Sequence, residues 1–460
     1  MVIYVAFAAE AVAGVLLTST FSTFHVETFL NEYKLDLASY ASGHVLYAVV
    51  NTLNDLVGAY CVDAWAPKHG RAWLMLCGGT LWAFTFLLPW FPWRSYPAVH
   101  FVVSLSAYDT LYSFCAIAGG SLLTEMNISD HQRINILRLK TVVGMTTAFL
   151  ATQAGQFLFS SKDMFRVYCA ALACAAAGLY ALFYHLLQRV PAHKLYATLA
   201  APPSELSTSL TASIKAIFLD FYHLKNFRYW LGMEMCLETQ SNFNRHYLRV
   251  FLGHFAGGLW SPATLTTVIS GLPLLKQLVK LGVYSVMDRV GVYRLYQSSF
   301  IAKFVAASLT FIVVQSVSTT PYMLLVTFLI FNAIATELPT GGFPIAMSNM
   351  HKELSLHRLH TGRGLVPSSS AMFMGLNAVF CKPMDSLLPI LAATQLDAAG
   401  YQTDKSSPRV ADTMVHLLLF PPLLLSGIQL WSWRRYTLNA DKLATIEVAL
   451  HRGTDEKNVV

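Results

Sequence analysis

The chain has 460 residues, of which 55% are hydrophobic and only 12% are charged. A soluble protein carries about 25% charged residues, so this composition excludes an ordinary soluble enzyme or binding domain. The formal net charge of +7 could indicate a nucleic-acid partner, but the basic residues are spread over many short segments. Because they form no single basic patch, we expect no nucleic-acid binding.

Apolar stretches of about 20 residues, enough to cross the hydrocarbon core of a bilayer, alternate with short charged segments along the whole chain. Backbone groups inside lipid must be satisfied within the chain, which favours helices. We therefore predict an all-α membrane protein with about twelve transmembrane helices. The predicted spans are residues 2–24, 40–63, 72–92, 98–125, 138–160, 164–187, 227–254, 263–286, 295–317, 321–346, 369–395 and 411–432.

The longest connection, residues 188–226, is rich in Ser, Thr, Pro and Ala and separates two sets of six predicted helices. We expect an N-terminal six-helix bundle at residues 1–187, a cytosolic loop at 188–226, a C-terminal bundle at 227–432 and a cytosolic tail at 433–460. Lys and Arg concentrate in every second connection and in the tail, so the positive-inside rule predicts that both termini are cytosolic. Which membrane holds the protein is left open, and we expect a monomer.

Both halves carry a similar sequence after their second predicted helix, in which an acidic residue is followed by Gly and Arg. This pattern predicts a tight cytosolic hinge in each half. Parallel repeats of this kind relate the two halves of many secondary transporters. The predicted hinge residues are Asp63, Gly70 and Arg71 in the first half and Asp288, Arg289 and Arg294 in the second.

Polar side chains occur inside several predicted spans, where they are costly and usually face a cavity or a partner. In the seventh span, six of them fall within an arc of about 100°, at 100° per residue, and we predict that they line a solute cavity. An amphipathic surface helix is the alternative, but the remaining faces of this span are apolar. Asn332 and Glu337 of the tenth span are candidates for the same cavity. The six residues are Glu234, Glu238, Ser241, Asn242, Arg245 and Arg249.

Two further spans hold polar groups. Asn51 and Asp55 lie four residues apart in the second span and share a helical face. Lys382 lies in the otherwise apolar eleventh span, three residues before Asp385. A structural bridge to a neighbouring helix is the alternative for Asp55, and Lys382 and Asp385 could simply neutralise each other. No phosphate-binding loop, HExxH motif or Ser/His/Asp arrangement is present, so we expect no enzyme, no metal site and no cofactor.

The segment from Asn51 to Asp63, NTLNDLVGAYCVD, resembles the N-D-P-x-x-G-x-x-x-D motif in the second span of the glycoside–pentoside–hexuronide cation symporters. These symporters belong to the major facilitator superfamily. Within that superfamily, the chain is most similar to the transmembrane-protein-180 group (major facilitator domain-containing 13), from about residue 18 to 442. The similar segments include Tyr108-Asp109, Gly291-Val-Tyr, Thr336-Glu337, Lys382-Pro383 and Trp433-x-x-Tyr436.

This resemblance implies two pseudo-symmetric six-helix bundles and a secondary transporter. In the symporters, the counterparts of Asn51 and Asp55 are both acidic and form a cation site, and the counterpart of Lys382 lies beside it. A further carboxylate of the symporters falls at Ala116 here, with Asp109 two turns earlier as a candidate substitute. We predict that Asn51, Asp55, Asp109 and Lys382 act in coupling or gating. H+ and Na+ are the candidate ions, and the lost carboxylates argue against Na+.

These inferences lead to one preferred function and two alternatives. The preferred hypothesis is a secondary transporter that moves a small polar organic solute across the lipid bilayer by alternating access. Two acidic and two basic groups on the seventh span suit a hydroxylated or zwitterionic solute. The alternative is a non-transporting receptor or scaffold on the same fold, which the eroded cation site favours. Related facilitators that carry lysophospholipids indicate a third, less favoured class of substrate.

Overall fold

The computed structural model describes seven stretches of the chain and six residues between them. Helices account for most of these residues, and no strand occurs among them. Most of the predicted loop at 188–226 lies outside the described residues. The stretches are 1–29, 37–91, 95–191, 221–318, 320–360, 370–401 and 403–458, and the six residues are Tyr33, Leu35, Trp93, Leu195, Phe218 and Leu219.

The N-terminal half forms six long helices. A capping box starts the fifth, because Ser129 accepts a hydrogen bond from the backbone of Gln132 and the Gln132 side chain accepts one from the backbone of Ser129. The helices are α1 (Val2–Glu27), α2 (Leu37–His69), α3 (Arg71–Thr85), which is followed by a 3-10 turn (Leu88–Trp90), α4 (Pro97–Glu125), α5 (Asp130–Phe159) and α6 (Lys162–Gln188).

The C-terminal half contains more breaks. A 3-10 turn (Pro339–Gly342) joins its third helix to its fourth. The helices are α7 (Lys225–Ala256), α8 (Pro262–Ser316), α9 (Tyr322–Glu337), α10 (Phe343–His360), α11 (Ser370–Cys381), α12 (Met384–Ala398), α13 (Pro408–Trp433) and α14 (Ala440–Asn458).

Within the described residues, nine helical segments are long and apolar enough to cross a membrane. One of them, α8, has 55 residues and contains a non-helical residue, Gly291 at φ 80° and ψ 161°, so it comprises both the eighth and the ninth predicted spans. The charged residues of α7 keep it out of the nine, and α11 and α12 are each too short. With α8 divided, α7 added and α11 joined to α12, the helices correspond to the twelve predicted spans.

Two spans that the sequence predicts as continuous are interrupted at prolines. Pro339 begins the 3-10 turn between α9 and α10, since proline removes a backbone donor and clashes with the preceding turn. Lys382 and Pro383 separate α11 from α12, because a residue before proline disfavours the α conformation. Irregular backbone at membrane depth is tolerated where it is buried in protein or lines a cavity, and such breaks often mark binding sites in transporters.

The chain forms two compact units. Met1–Ile214 and His357–Val379 make up the first, and Lys215–Leu356 and Phe380–Val460 the second. In the first unit, α1 packs against α5 and α6, α2 against α4, and α3 against α4 and α6. In the second, α7 packs against α9, α12 and α13, and α8 packs against α9 and α13.

Candidate functional site

The first polar cluster of the N-terminal unit lies where α2 meets α3 and centres on Arg71, whose side chain is only 2% exposed. The guanidinium donates to both carboxylate oxygens of Glu125, at 2.7 and 2.8 Å, and to Asp63 at 2.7 Å. It also donates to the hydroxyls of Ser121 at 2.6 Å and Ser370 at 3.3 Å. The planar fork of donors in arginine suits such bidentate binding of carboxylates. Arg71 therefore ties together three helices of this unit and the start of α11.

The same carboxylates hold the first turn of α11. The Ser370 hydroxyl donates to Glu125, and the backbone N–H of Met372 donates to Asp63 Oδ2 at 2.9 Å. The first N–H groups of a helix have no partner inside it and carry a partial positive charge, so Asp63 supplies an acceptor for one of them, while Glu125 binds the Ser370 hydroxyl. This explains why His357–Val379 belongs to the first unit.

The predicted hinge of the first half consists of a single non-helical residue rather than a loop. Asp63 lies inside α2 and Arg71 begins α3, so Gly70 is the one non-helical residue between them. Gly70 has φ 79° and ψ 147°, a left-handed conformation that costs glycine little. The chain can therefore turn from one helix to the next within a single residue.

The hinge of the second half has the same backbone conformation as that of the first, but it lacks the buried arginine. Gly291 has nearly the same conformation as Gly70, at φ 80° and ψ 161°. Counted from the two glycines, Val292 occupies the position of Arg71, so the buried cation has no counterpart. The three predicted charged residues are exposed: Asp288, Arg289 and Arg294.

A second cluster of the first unit joins α2 to α4. Asn54 donates to Asp109 Oδ2 at 2.8 Å, and the Tyr47 hydroxyl is also hydrogen-bonded to Asp109. Asp55 is buried beside Asn54, and Asn51 is half-buried on the same helix. Asp109 thus lies next to the span-two motif and is joined to it through Asn54.

Lys382 is half-buried in the break between α11 and α12. It belongs to the second unit, whereas Asp55 belongs to the first, so an Asp55–Lys382 pair stays a prediction. The side chain of Asp385, the alternative partner, lies outside the described residues.

In the second unit, buried amide and hydroxyl groups join α7 to α9. Asn244 Oδ1 accepts hydrogen bonds from Gln240 Nε2 and Asn332 Nδ2, each at 3.1 Å, and Asn244 Nδ2 donates to Thr336 Oγ1 at 3.3 Å. All four side chains are buried. The amide oxygens of Gln240 and Asn332 accept no hydrogen bond within the described part of the chain. This amide network (Gln240, Asn244, Asn332 and Thr336) therefore offers two acceptors to a further donor.

Charged groups adjoin the amide network. Ser241 donates to Glu337 Oε1 at 2.9 Å, and Lys276 of α8 forms an ion pair with the same oxygen at 3.5 Å. Lys280 donates to Thr340 Oγ1 at 3.1 Å, in the turn that breaks the tenth span. Neither lysine is among the predicted site residues, although both lie inside the eighth predicted span, where a charge is costly and therefore indicates a site.

The polar stripe predicted on α7 divides into a buried and an exposed part. Glu234 and Asn242 are buried, Glu238 is half-buried, and Arg245 and Arg249 are exposed. Arg245 donates to Asn242 Oδ1, one turn earlier on the helix.

The α7 residues of the amide network point about 120–160° away from Glu238 around the helix, at 100° per residue. Gln240 and Asn244 are not among the predicted site residues because the prediction rests on charged residues with helical spacing. Uncharged amide side chains within a predicted membrane span are the signal that would have found them.

The second unit also buries a lysine with one neutral partner. Lys303 of α8 is 1% exposed, and its ammonium donates to Gln429 Oε1 of α13 at 3.3 Å. That is its one hydrogen bond among the described residues. A single lysine in the apolar ninth span is a signal of a functional or structural site that is visible in the sequence, although Lys303 is not among the predicted site residues.

Comparison with known proteins assigns nearly the whole chain to one protein family. The family described as MFS/sugar transport protein matches residues 6–440. The chain belongs to this family. It is 22% identical to transmembrane protein 180 of Gallus gallus over 487 aligned positions, which cover 94% of the chain and 92% of that relative. The protein of the same name from Mus musculus is also 22% identical, with the same coverage. The predicted relationship, a transmembrane-protein-180-like member of the major facilitator superfamily, is confirmed.

Solved transporter structures share the fold. A bacterial homologue of the iron transporter ferroportin, in an outward-facing state, matches 94% of the chain and 99% of its own with a TM-score of 0.61 and 12% identity. The major facilitator transporter FucP, in the outward conformation, gives a TM-score of 0.56, 13% identity and coverage of 93% and 97%. At such identity the likeness establishes the fold alone. The predicted fold class is confirmed, and the chain is a multi-pass integral membrane protein whose family supports a transporter rather than an enzyme.

Proposed function

We propose that this member of the major facilitator superfamily is a secondary active transporter of a small polar organic solute and works by alternating access between its two bundles. The observation that carries the proposal is the amide network of α7 and α9. Uncharged donors and acceptors inside membrane helices are stable only when they are paired, and two acceptors of this network have no partner among the described residues. A solute with hydroxyl or ammonium groups could donate hydrogen bonds to these two acceptors.

The charged groups beside the network narrow the solute class. Glu337 and Lys276 form an ion pair adjoining Ser241, next to the amide side chains. Opposite charges together with amides suit a zwitterionic or hydroxylated solute better than a hydrocarbon, because a hydrocarbon would leave these polar groups buried and unpaired.

In this proposal, transport is coupled to protons, because the first unit offers carboxylates but too few of them for a Na+ site. Asp55 and Asp109 supply two carboxylates, with Lys382 as the predicted cationic partner. A Na+ site needs several oxygen ligands and compensating negative charge, and Asn51 replaces one carboxylate of the related symporters. A proton needs only one carboxylate that can change its charge.

The Arg71 cluster supports the conformational side of the proposal. It fixes the start of α11 to the ends of α2 and α4 through the carboxylates of Asp63 and Glu125. In this proposal the cluster stabilises one conformation of the transporter at its cytosolic side, and its hydrogen bonds to α11 must break once in each transport cycle.

A thermal-shift panel tests whether a solute binds. Purified protein is screened against sugars, nucleosides, amino acids and lysolipids, with Na+ and pH varied. A solute at 100 times its dissociation constant stabilises its target by about 2.7 kcal/mol, which gives a clear upward shift in melting temperature.

The matched variants are Gln240→Leu, in the amide network, and Gln395→Leu, on the exposed surface of α12. We expect one solute class to raise the melting temperature of the wild type and of Gln395→Leu but not of Gln240→Leu. No shift across the panel would favour the receptor or scaffold instead.

A further inference from the structure

An open apolar groove lies on the outer surface of the second unit, between α8 and α13. Its volume is about 460 Å³. Most of its lining is exposed, with Trp431 56% exposed, so the groove faces the surroundings of the unit rather than its core. Its lining residues are Phe304, Leu423, Leu424, Gly427, Ile428 and Trp431.

The two helices run antiparallel along the groove, which fixes where its ends lie. Tyr293 packs on Trp433, with ring centroids 5.4 Å apart, near the start of the second arm of α8 and the end of α13. Further along, a Cβ added at Gly427 would lie 3.6 Å from the ring of Phe304. The end of the groove at Trp431 is therefore the end at which α13 stops.

Three arginines lie at the Trp431 end of the groove. Arg435 lies over the ring of Trp431, with its guanidinium carbon 4.1 Å from the ring centroid, and donates to the Trp431 carbonyl at 3.3 Å. Arg434 and Arg294 are exposed at the same end of the two helices. Arg435 is held over the indole face by a cation–π contact, and the Trp431 carbonyl takes only one of the five N–H donors of its guanidinium. The groove is thus apolar along its length and cationic at one end.

We propose that this groove binds an anionic phospholipid, with an acyl chain along α8 and α13 and the headgroup phosphate at Arg435 and Arg434. The charge pattern selects this occupant, since a phosphate matches the donor geometry of arginine and a neutral chain matches the lining. Trp431 lies between the two, as tryptophans at membrane interfaces do. The positive-inside rule predicts that this end is cytosolic, and the cytosolic leaflet is the one that carries anionic lipids.

Native mass spectrometry of the detergent-purified full chain tests the proposal. Phosphatidylglycerol and phosphatidylcholine with identical acyl chains are added in equal amounts. We expect one phosphatidylglycerol adduct to exceed the phosphatidylcholine adduct several-fold. Arg435→Gln should lower the phosphatidylglycerol adduct about tenfold, the loss that corresponds to one charge-assisted contact.

Gly427→Leu tests whether the chain occupies the groove itself. A Cβ at Gly427 makes ordinary contact with Phe304, so the rest of the leucine side chain would extend into the groove without changing any charge. Gly282→Leu on α8 is the control, because no atom lies within 4 Å of a Cβ at that position. We expect Gly427→Leu to lose the phosphatidylglycerol adduct and Gly282→Leu to keep it.

Three results would overturn the proposal. Equal adducts of the two lipids on the wild type would show an unselective lipid layer. Unchanged phosphatidylglycerol binding in both Arg435→Gln and Gly427→Leu would place the lipid elsewhere. A dimer that only Gly427→Leu dissociates would show that a second copy of the chain covers this surface.

Discussion

Removing Arg71 should destabilise the first unit more than removing any exposed cation of the chain. In Arg71→Met, the carboxylates of Asp63 and Glu125 stay close together and lose the cation that both contact at 2.7 Å. Ser121 and Ser370 also lose a donor. The perturbation therefore leaves two like charges in a largely buried site.

The expected magnitude follows from the geometry. Two unit charges 4 Å apart attract by about 4 kcal/mol at an effective dielectric constant of 20, and the cost of burying the charges offsets part of this attraction. Removing one partner of a buried ion pair costs about 3–5 kcal/mol, because the other charge stays uncompensated. Since Arg71 compensates two carboxylates, we expect a loss of about 4–5 kcal/mol in the free energy of unfolding. Arg71→Lys keeps the charge but not the bidentate fork, and should lose about 2 kcal/mol.

Equilibrium unfolding in mixed micelles, followed by tryptophan fluorescence, measures these losses. The control is Lys352→Gln, which removes a pair of similar length, 2.6 Å to Glu447, in which the side chains are 26% and 51% exposed. An exposed pair contributes about 0–1 kcal/mol. The double variant Arg71→Met/Glu125→Gln should lose less free energy of unfolding than the two single variants lose together. A loss in Arg71→Met no larger than that in Lys352→Gln would refute the reasoning.

Two further predictions concern buried charges elsewhere in the chain. Gln429→Leu removes the acceptor that Lys303 uses and should lower the free energy of unfolding by about 1–3 kcal/mol. Gln395→Leu should change it by less than about 0.5 kcal/mol, and equal losses would show that Lys303 does not depend on Gln429. For the proposed pair of Asp55 and Lys382, Asp55→Asn and Lys382→Met should each destabilise the protein, and the double variant should lose less than the sum. Strictly additive losses would show that these two residues do not interact.

The number and order of the spans could be predicted from the sequence because apolar length is a local property. The interruptions were harder to place. Pro339 and Pro383 are visible in the sequence, but a proline within a span can kink a helix as well as end it. Surrounding contacts decide the outcome, and in α13 the helix continues through Pro421 and Pro422.

The site residues divide in a similar way. A charged stripe with helical spacing predicts a polar site on α7, whereas Gln240 and Asn244 of the amide network lie outside the stripe. Ser370, more than 200 positions after Glu125, contacts it only through the tertiary fold. Local spacing cannot predict such a contact, because it depends on which helices become neighbours.

Transport itself is tested most directly by uptake into proteoliposomes of the solute that gives the largest thermal shift. We predict saturable uptake above that of protein-free liposomes, driven by an imposed pH gradient and independent of Na+. Gln240→Leu should lower the uptake about tenfold, as expected for a loss of about 1.4 kcal/mol in solute binding, while Gln395→Leu should match the wild type. Uptake by the wild type no greater than in protein-free liposomes, for a solute that binds, would contradict transport and leave the receptor or scaffold as the function of this fold.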